Sequence, residues 1–233
     1  MPPSDPAPNP QTQKSQTPNS QTFVILDDHD MVLAGTCGIL QNQYPDSQLL
    51  SARTAEQAKA LVAEAHPDLL VMDLSVPTTM DESSHTSVGL DFLKSILTDH
   101  PELNVVVQSA HVRTLVRLKP LIDKHRGGFT IADKSLTTAE MLTKVDWSLK
   151  GLLYTPPEMR TGLEVKPEWI TLIELAFNES LQDRAIAERM NIAERTVRHY
   201  WTRIQDALQV YPDDGINIRM QTYARAREVG LLD

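Results

Sequence analysis

Five short apolar runs, each followed by a helix-period segment, constrain this chain more than any other feature. The runs cover residues 23–26, 49–52, 69–72, 104–108 and 128–132. Between and after them, residues 30–43, 55–65, 89–99, 112–124 and 138–152 carry helical patterns. Fivefold βα alternation predicts a parallel sheet covered by helices on both faces. Thr54 with Gln57, and Thr137 with Glu140, have the spacing of capping boxes and mark two helix starts. The connections are short, as right-handed crossovers require. The exception is the segment that follows Asp73.

Beyond this region the pattern changes. Residues 154–166, with Pro156-Pro157 and then Pro167, read as a linker. From Pro167 onward the chain reads as all helix, over 167–177, 183–190, 194–208 and 217–230. Only Asn191-Ile192-Ala193 separates the second and third of these, which predicts a helix-turn-helix. The first 21 residues are Pro, Ser, Asn, Gln and Thr with hardly an apolar side chain, so a disordered tail is expected there rather than a targeting segment. The expected division is a tail at 1–21, an α/β domain at 22–153, a linker at 154–166 and a smaller helical domain at 167–233.

Composition narrows the setting. The single cysteine, Cys37, excludes an internal disulfide, fits a reducing compartment and sits where a packed thiol is expected. No run approaches the roughly 18 apolar residues of a membrane span, so a cytoplasmic protein without membrane contact is expected. Net charge is −9. Residues 160–233 hold 10 Lys and Arg against 12 Asp and Glu, so −7 of the total lies in residues 1–159. An acidic site needing a cation belongs in that half. DNA binding by the other half would need a local basic face.

Polar groups stand at the ends of four apolar runs, in order: Asp27-Asp28 at the first, Asp73 at the third, Ser109 at the fourth and Lys134 at the fifth. The carboxyl ends of strands in an open parallel sheet are where ligands and chemistry gather. Carboxylates from neighbouring strands suit Mg²⁺, which takes oxygen ligands and keeps some water. Lys134 offers a point charge to phosphoryl oxygens, and Ser109 a hydrogen-bond donor. Such a cluster stabilises a transferring phosphoryl group. Singly, each residue also fits a plainer role: loop cap, strand-end cap, loop serine, exposed lysine.

The stretches VILDDHDMVLAGTCGIL, PDLLVMDLSVP, VVVQSAH and GGFTIADKS resemble the receiver domain of two-component response regulators. The resemblance implies a flavodoxin-like α/β fold with a five-stranded parallel sheet in the order 2-1-3-4-5. It implies that Asp73 accepts phosphoryl from a sensor histidine kinase. It further implies Mg²⁺ held by Asp28, Asp73 and the backbone carbonyl of Ser75 with help from Asp27, and a readout through Ser109 and Lys134. His111 would tune self-dephosphorylation. The chain departs from the family in two places. Residues 78–87 form a polar insertion after Pro77, containing His85, expected to be a solvated loop, a lid or a partner-recognition element. The strand-five aromatic that serves as a switch usually lies three residues before the lysine. Here Phe129 lies five before, and Ser135 replaces the common proline.

The third C-terminal helix opens with Glu194-Arg195-Thr196-Val197-Arg198-His199-Tyr200-Trp201-Thr202-Arg203. Arginines can grip guanine in the major groove, and Val197 could touch a thymine methyl. Arg195, Arg198 and His199 can project from the leading turns, while Thr196, Tyr200 and Arg203 suit phosphate oxygens. Ile186, Val197, Ile204 and Leu208 supply an apolar seam. AIAERMNIAERTVRHYWTRIQDAL resembles the LuxR/FixJ (NarL-type) helix-turn-helix, and the whole chain looks most like cyanobacterial or plastid-type members. The resemblance implies recognition by Arg195, Val197 and Arg198, with Thr196 near the backbone and a dimerising last helix. Ala193 stands where Ser or Thr usually caps the helix, a loss of about 1 kcal/mol.

The leading expectation is a transcription regulator switched by phosphate on Asp73. Its expected partners are a histidine kinase, double-stranded promoter DNA, a second copy of itself and RNA polymerase. One rival keeps DNA binding but places it under a partner protein, independent of phosphate. A second rival, an aspartyl-intermediate phosphatase, lacks the usual second acid, since Ser75 stands at that position. No enzymatic activity beyond the receiver's own phosphorylation and slow dephosphorylation is expected.

Overall fold

The computed structural model describes residues 20–110, 112–156, 159, 166–212 and 215–232. The expected tail over 1–19, most of the linker and His111 lie outside the described residues.

Strands β1 (Thr22–Leu26), β2 (Gln48–Ala52), β3 (Leu69–Asp73), β4 (Asn104–Gln108), β5 (Phe129–Ala132) and β6 (Leu153–Tyr154) form one parallel sheet. The order is β2-β1-β3-β4-β5-β6. The five-stranded expectation is therefore one strand short. Leu153–Tyr154, read as the last residue of the α/β domain and the first of the linker, pairs with Phe129 and Thr130 instead. Two residues are too short to show a period-2 pattern, so no sequence signal marks β6.

Strand side chains alternate between two cores, as the pleat demands. Phe23, Ile25, Leu69, Val71 and Val106 face α1 (Asp30–Gln43) and α5 (Thr138–Leu149). Val24, Leu26, Leu70, Met72, Val105 and Val107 face α2 (Ala55–Ala65) and α3 (Thr86–Asp99). Burial on both faces is why these runs are continuously apolar rather than alternating. Thr54 caps α2 by accepting from the Gln57 amide, and Thr137 with Glu140 forms a complete capping box on α5. Cys37 packs against the first of these cores, and burial pushes its thiol pKa up. Gly89 lets α3 approach the chain just beyond β3. A Cβ there would fall 2.0 Å from the Leu74 carbonyl oxygen.

The expected helix over 112–124 is a 3-10 segment, Val112–Leu118, followed by the single turn α4 (Lys119–Ile122). Pro120 in that turn has no amide to continue an α-helical ladder from the preceding residues.

His125 closes this connection. It is buried, edge-on to Phe129, and its Nε2 lies 2.8 Å from the Leu103 carbonyl. Only an N–H can serve that oxygen, so the proton sits on Nε2. Nδ1 has no hydrogen-bond partner among the described residues. Desolvation lowers the His125 pKa, outweighing the Leu103 hydrogen bond that raises it. A folded pKa below the unfolded value makes protonation favour unfolding. Stability is then full above the unfolded histidine pKa of about 6.5 and falls as pH drops from there toward the folded value. Urea unfolding between neutral and mildly acidic pH should show this decline, shallower in His125→Gln. Parallel curves would refute it.

Helices α6 (Pro167–Phe177), α7 (Asp183–Met190), α8 (Glu194–Leu208) and α9 (Ile218–Glu228) enclose a separate core around Ile173, Ile186, Val197, Trp201 and Ile204. Val116 of the 3-10 segment joins it. Beside it Arg117 Nε donates to the Gly230 carbonyl at 3.1 Å, so the chain beyond α9 is tied to the α/β unit.

Candidate functional site

The carboxyl ends of β1, β3 and β5 bring Asp27, Asp73 and Lys134 together. Asp27 and Asp73 are each 4% exposed at the side chain. Lys134 Nζ bridges them, 2.8 Å from Asp73 Oδ2 and 3.2 Å from Asp27 Oδ2. The other Asp73 oxygen accepts from the Leu74 amide at 2.7 Å. Two buried carboxylates so close would repel strongly without this ammonium. Burial pulls the Lys134 pKa down. The hydrogen bond and charge of Asp73, joined by Asp27, outweigh it and leave the pKa above the ordinary lysine value. Ser109 is fully buried just past β4, its amide donating to the Ala132 carbonyl at 3.2 Å.

Ser135, where a proline is common in the resembled family, has a local role. Its amide and hydroxyl both donate to Asp133 Oδ1, at 2.8 and 2.6 Å. These bonds, the hydroxyl first, hold the Asp133 carboxyl below its usual pKa. The turn that carries Lys134 is closed by side-chain hydrogen bonds, one of which needs an N–H that proline lacks.

Asp28 is placed differently from Asp27. Its Oδ1 lies 2.7 Å from His29 Nδ1, and its Oδ2 accepts from Ser84 Oγ of the insertion. Asp27, Asp28 and His29 each offer a ligand atom within 4.8 Å of one another. Asp73 is not part of that trio. Hard carboxylate oxygens suit Mg²⁺ better than an imidazole does. The donor set of Asp27 and Asp28 beside Asp73 therefore fits the ion. Sequence reasoning missed His29 and Ser84. The adjacency Asp-Asp-His hinted at the first, but nothing in the sequence pointed Ser84 at Asp28, 56 positions away.

Phe129 does not reach this site. It opens β5, opposite Val105 and Leu153, whereas the site lies beyond the pair Gln108–Ala132 at the other end of the strand. A strand rises about 3.3 Å per residue, which puts the ring roughly 10 Å from the strand's exit. The expected switch role of Phe129 is therefore corrected. The position three before Lys134 is Ile131, buried in the sheet.

On α8, Arg195, Arg198, His199, Thr202 and Arg203 are exposed, with spacings of three, four and seven that share one face. Thr196 and Tyr200 lie at its margin, Tyr200 half-buried. Val197 is fully buried in the helical core, so the expected thymine contact is corrected. It belongs to the seam with Ile186, Ile204 and Leu208, all buried. Thr202 is the residue of this face that sequence reading passed over. Ala193 stands at the N-cap with no side-chain hydrogen bond. From α7, Asp183 Oδ1 accepts from Trp201 Nε1 at 3.0 Å and from Arg219 Nη2 at 2.6 Å. The Arg219 guanidinium also stacks 3.9 Å over the Trp201 ring. One carboxylate thereby ties α7, α8 and α9 together.

No helix among the described residues is long and apolar enough to cross a membrane. The chain is similar to the transcriptional regulatory protein LnrK of Bacillus subtilis, 26% identical over 213 residues, covering 81% of this chain and 90% of that protein. It is 23% identical over 193 residues to the transcriptional activator DevR/DosR of Mycobacterium tuberculosis, covering 77% and 84%. In fold it resembles the two-component response regulator RcsB, solved in complex with DNA. That likeness has a TM-score of 0.53 and 19% identity over 89% of this chain and 99% of that one. The family model for the response regulator receiver domain matches residues 23–146. With more than half its length matched, and with paired carboxylates, aspartate and lysine at the ends of β1, β3 and β5, the chain belongs to the response regulator receiver family.

Proposed function

We propose that this protein is a DNA-binding transcriptional response regulator of a two-component system, switched by phosphoryl transfer from a histidine kinase to Asp73. The observation that carries the reading is the Lys134 ammonium shared by the buried Asp27 and Asp73. Asp73 is the nucleophile: an oxygen of its carboxylate forms the new bond to phosphorus as the bond to the kinase histidine breaks. Lys134 is placed to pass from the carboxylate to the incoming phosphoryl oxygens. Ser109 donates its hydroxyl to the same group. The chemistry supplied by a Mg²⁺ held by Asp27, Asp28, Asp73 and the Ser75 carbonyl is neutralisation of charge on the phosphoryl oxygens. Slow self-dephosphorylation resets the switch, with His111 tuning it.

The output is the exposed face of α8. Arg195, Arg198 and His199 face bases of the major groove, Thr202 extends that face, and Thr196, Tyr200 and Arg203 meet phosphates. A homodimer reads paired half-sites of promoter DNA and engages RNA polymerase in the cytoplasm. Phosphate must bind one conformation better than the other to shift the balance. The route to the output passes from Ser109 into the 3-10 segment, whose Arg117 holds the Gly230 carbonyl.

Footprinting on genomic fragments with and without acetyl phosphate and Mg²⁺ tests both halves together. Protection that strengthens on phosphorylation, and not in Asp73→Asn, is the expected result. Equal protection by the unmodified and fully phosphorylated protein would assign control to a partner instead. Arg198→Ala should weaken binding to the footprinted site by about 1–3 kcal/mol while sparing random DNA. An equal loss on both would make Arg198 a phosphate contact.

A further inference from the structure

The insertion after Pro77 is held in place at both ends. Its start supports α2, through hydrogen bonds from the Ala55 amide to the Pro77 carbonyl and from the Glu56 amide to the Thr78 carbonyl, at 3.0 and 3.3 Å. Its end is pinned by an antiparallel bridge between Val76 and His85, with the His85 amide donating to the Val76 carbonyl at 3.1 Å. Between these anchors residues 80–83 are exposed, as is His85, while Ser84 is turned inward and half-buried. Its hydroxyl donates to Asp28 Oδ2. Just beyond, Thr86 Oγ1 lies 3.3 Å from Ser75 Oγ.

The strap therefore touches Asp28 directly, and Thr86, the first residue of α3 after it, touches the side chain of Ser75. With His29 on Oδ1 and Ser84 on Oδ2, both oxygens of Asp28 already have protein partners. Lys134 sits on Asp27 and Asp73. A divalent cation approaching Asp28 competes with these partners for the lone pairs of its carboxylate. Ser84 is the partner on the bridged strap, whereas His29 is the sequence neighbour of Asp28 and moves with it.

We propose that residues 78–85 form a strap that gates the divalent cation site, with Ser84 as the positioning residue that competes with the cation for Asp28. The proposal rests on the receiver reading and goes beyond it in assigning the insertion a role. Closed, the strap keeps Asp28 turned toward Ser84. Open, it releases Asp28 to the cation and uncovers the approach to Asp73.

The test is Mn²⁺ binding to the full chain, followed by the electron paramagnetic resonance signal of the free ion, in wild type, Ser84→Ala and Asp28→Asn. Losing a competing hydrogen bond should tighten Mn²⁺ binding by Ser84→Ala roughly fivefold. Asp28→Asn should bind far more weakly than either. A second measurement uses the wild type alone: amides of residues 78–85 should exchange with deuterium faster when Mn²⁺ is saturating. Equal or weaker binding by Ser84→Ala overturns the strap, as does unchanged exchange should that variant fail to fold. No Mn²⁺ binding by wild type and Ser84→Ala alike would overturn the receiver reading as well. Binding that is merely insensitive to Ser84 overturns the strap alone.

Discussion

Asp73→Asn should abolish phosphoryl uptake, with acetyl phosphate and Mg²⁺ expected to modify the wild type and not the variant. The expected effect is all-or-none because an amide oxygen is too weak a nucleophile to replace a carboxylate. The fold should survive. The introduced side-chain carbonyl can still accept from the Leu74 amide, as Asp73 Oδ1 does at 2.7 Å. Lys134 keeps Asp27, and the repulsion between two buried carboxylates is gone. Loss of the Asp73–Lys134 bond and relief of that repulsion oppose each other, so stability should change by no more than about 1–2 kcal/mol. Intact-mass measurement after acetyl phosphate treatment reads the first part, and urea unfolding the second. A modified Asp73→Asn protein would move the phosphoacceptor elsewhere.

Trp201→Ala carries the largest expected stability loss. The indole is 5% exposed and sits edge-on to Phe177 at 5.8 Å between ring centres. It donates to Asp183 and lies beneath Arg219. Truncating a buried aromatic of this size costs about 3–5 kcal/mol through lost burial and the cavity left behind. The penalty falls on the helical core, because Trp201 packs there and not against the sheet. The variant should lose DNA binding, since α8 loses its anchor, yet still accept phosphoryl on Asp73. Trp201→Phe should recover most of the packing but not the Asp183 hydrogen bond, a remaining deficit of about 1 kcal/mol. Chemical unfolding and footprinting of the two variants check this. A Trp201→Ala protein with undiminished DNA binding would dissociate α8 from base reading.

What could be read in advance followed from local chemistry. Runs such as 69–72 and 104–108 are apolar on successive residues, as a strand buried on both faces requires. Thr137 with Glu140 is a complete hydrogen-bonding instruction within four residues. The turn at Asn191 announced itself likewise, and the structure has Asn191 in the left-handed region at φ 54°. Asp27, Asp73 and Lys134 were legible as a cluster because parallel strands put all their exits at one end of the sheet.

The errors arose where one pattern serves two roles. Val197 satisfied both an apolar seam and a base-contacting helix start, and only the burial of that face in the four-helix core separates them. The sequence distance from Phe129 to Lys134 does not say which end of β5 the ring occupies. The register of β5 against Val105 shows that it lies at the wrong end of the strand. Strand β6 is two residues long and is a strand only because β5 offers it a free edge.

The sequence by itself determined the layered α/β plan, the helix-turn-helix and the strand-end carboxylates with their lysine, because each is written in residues close together or repeated at a fixed period. Tertiary structure alone decided that Ser84 reaches Asp28, that Asp183 ties Trp201 to Arg219, and that Arg117 holds the chain beyond α9. Those pairs are separated by 56, 18 and 36, and 113 positions. A hydrogen bond between such residues depends on where the intervening chain packs, and no local spacing encodes that.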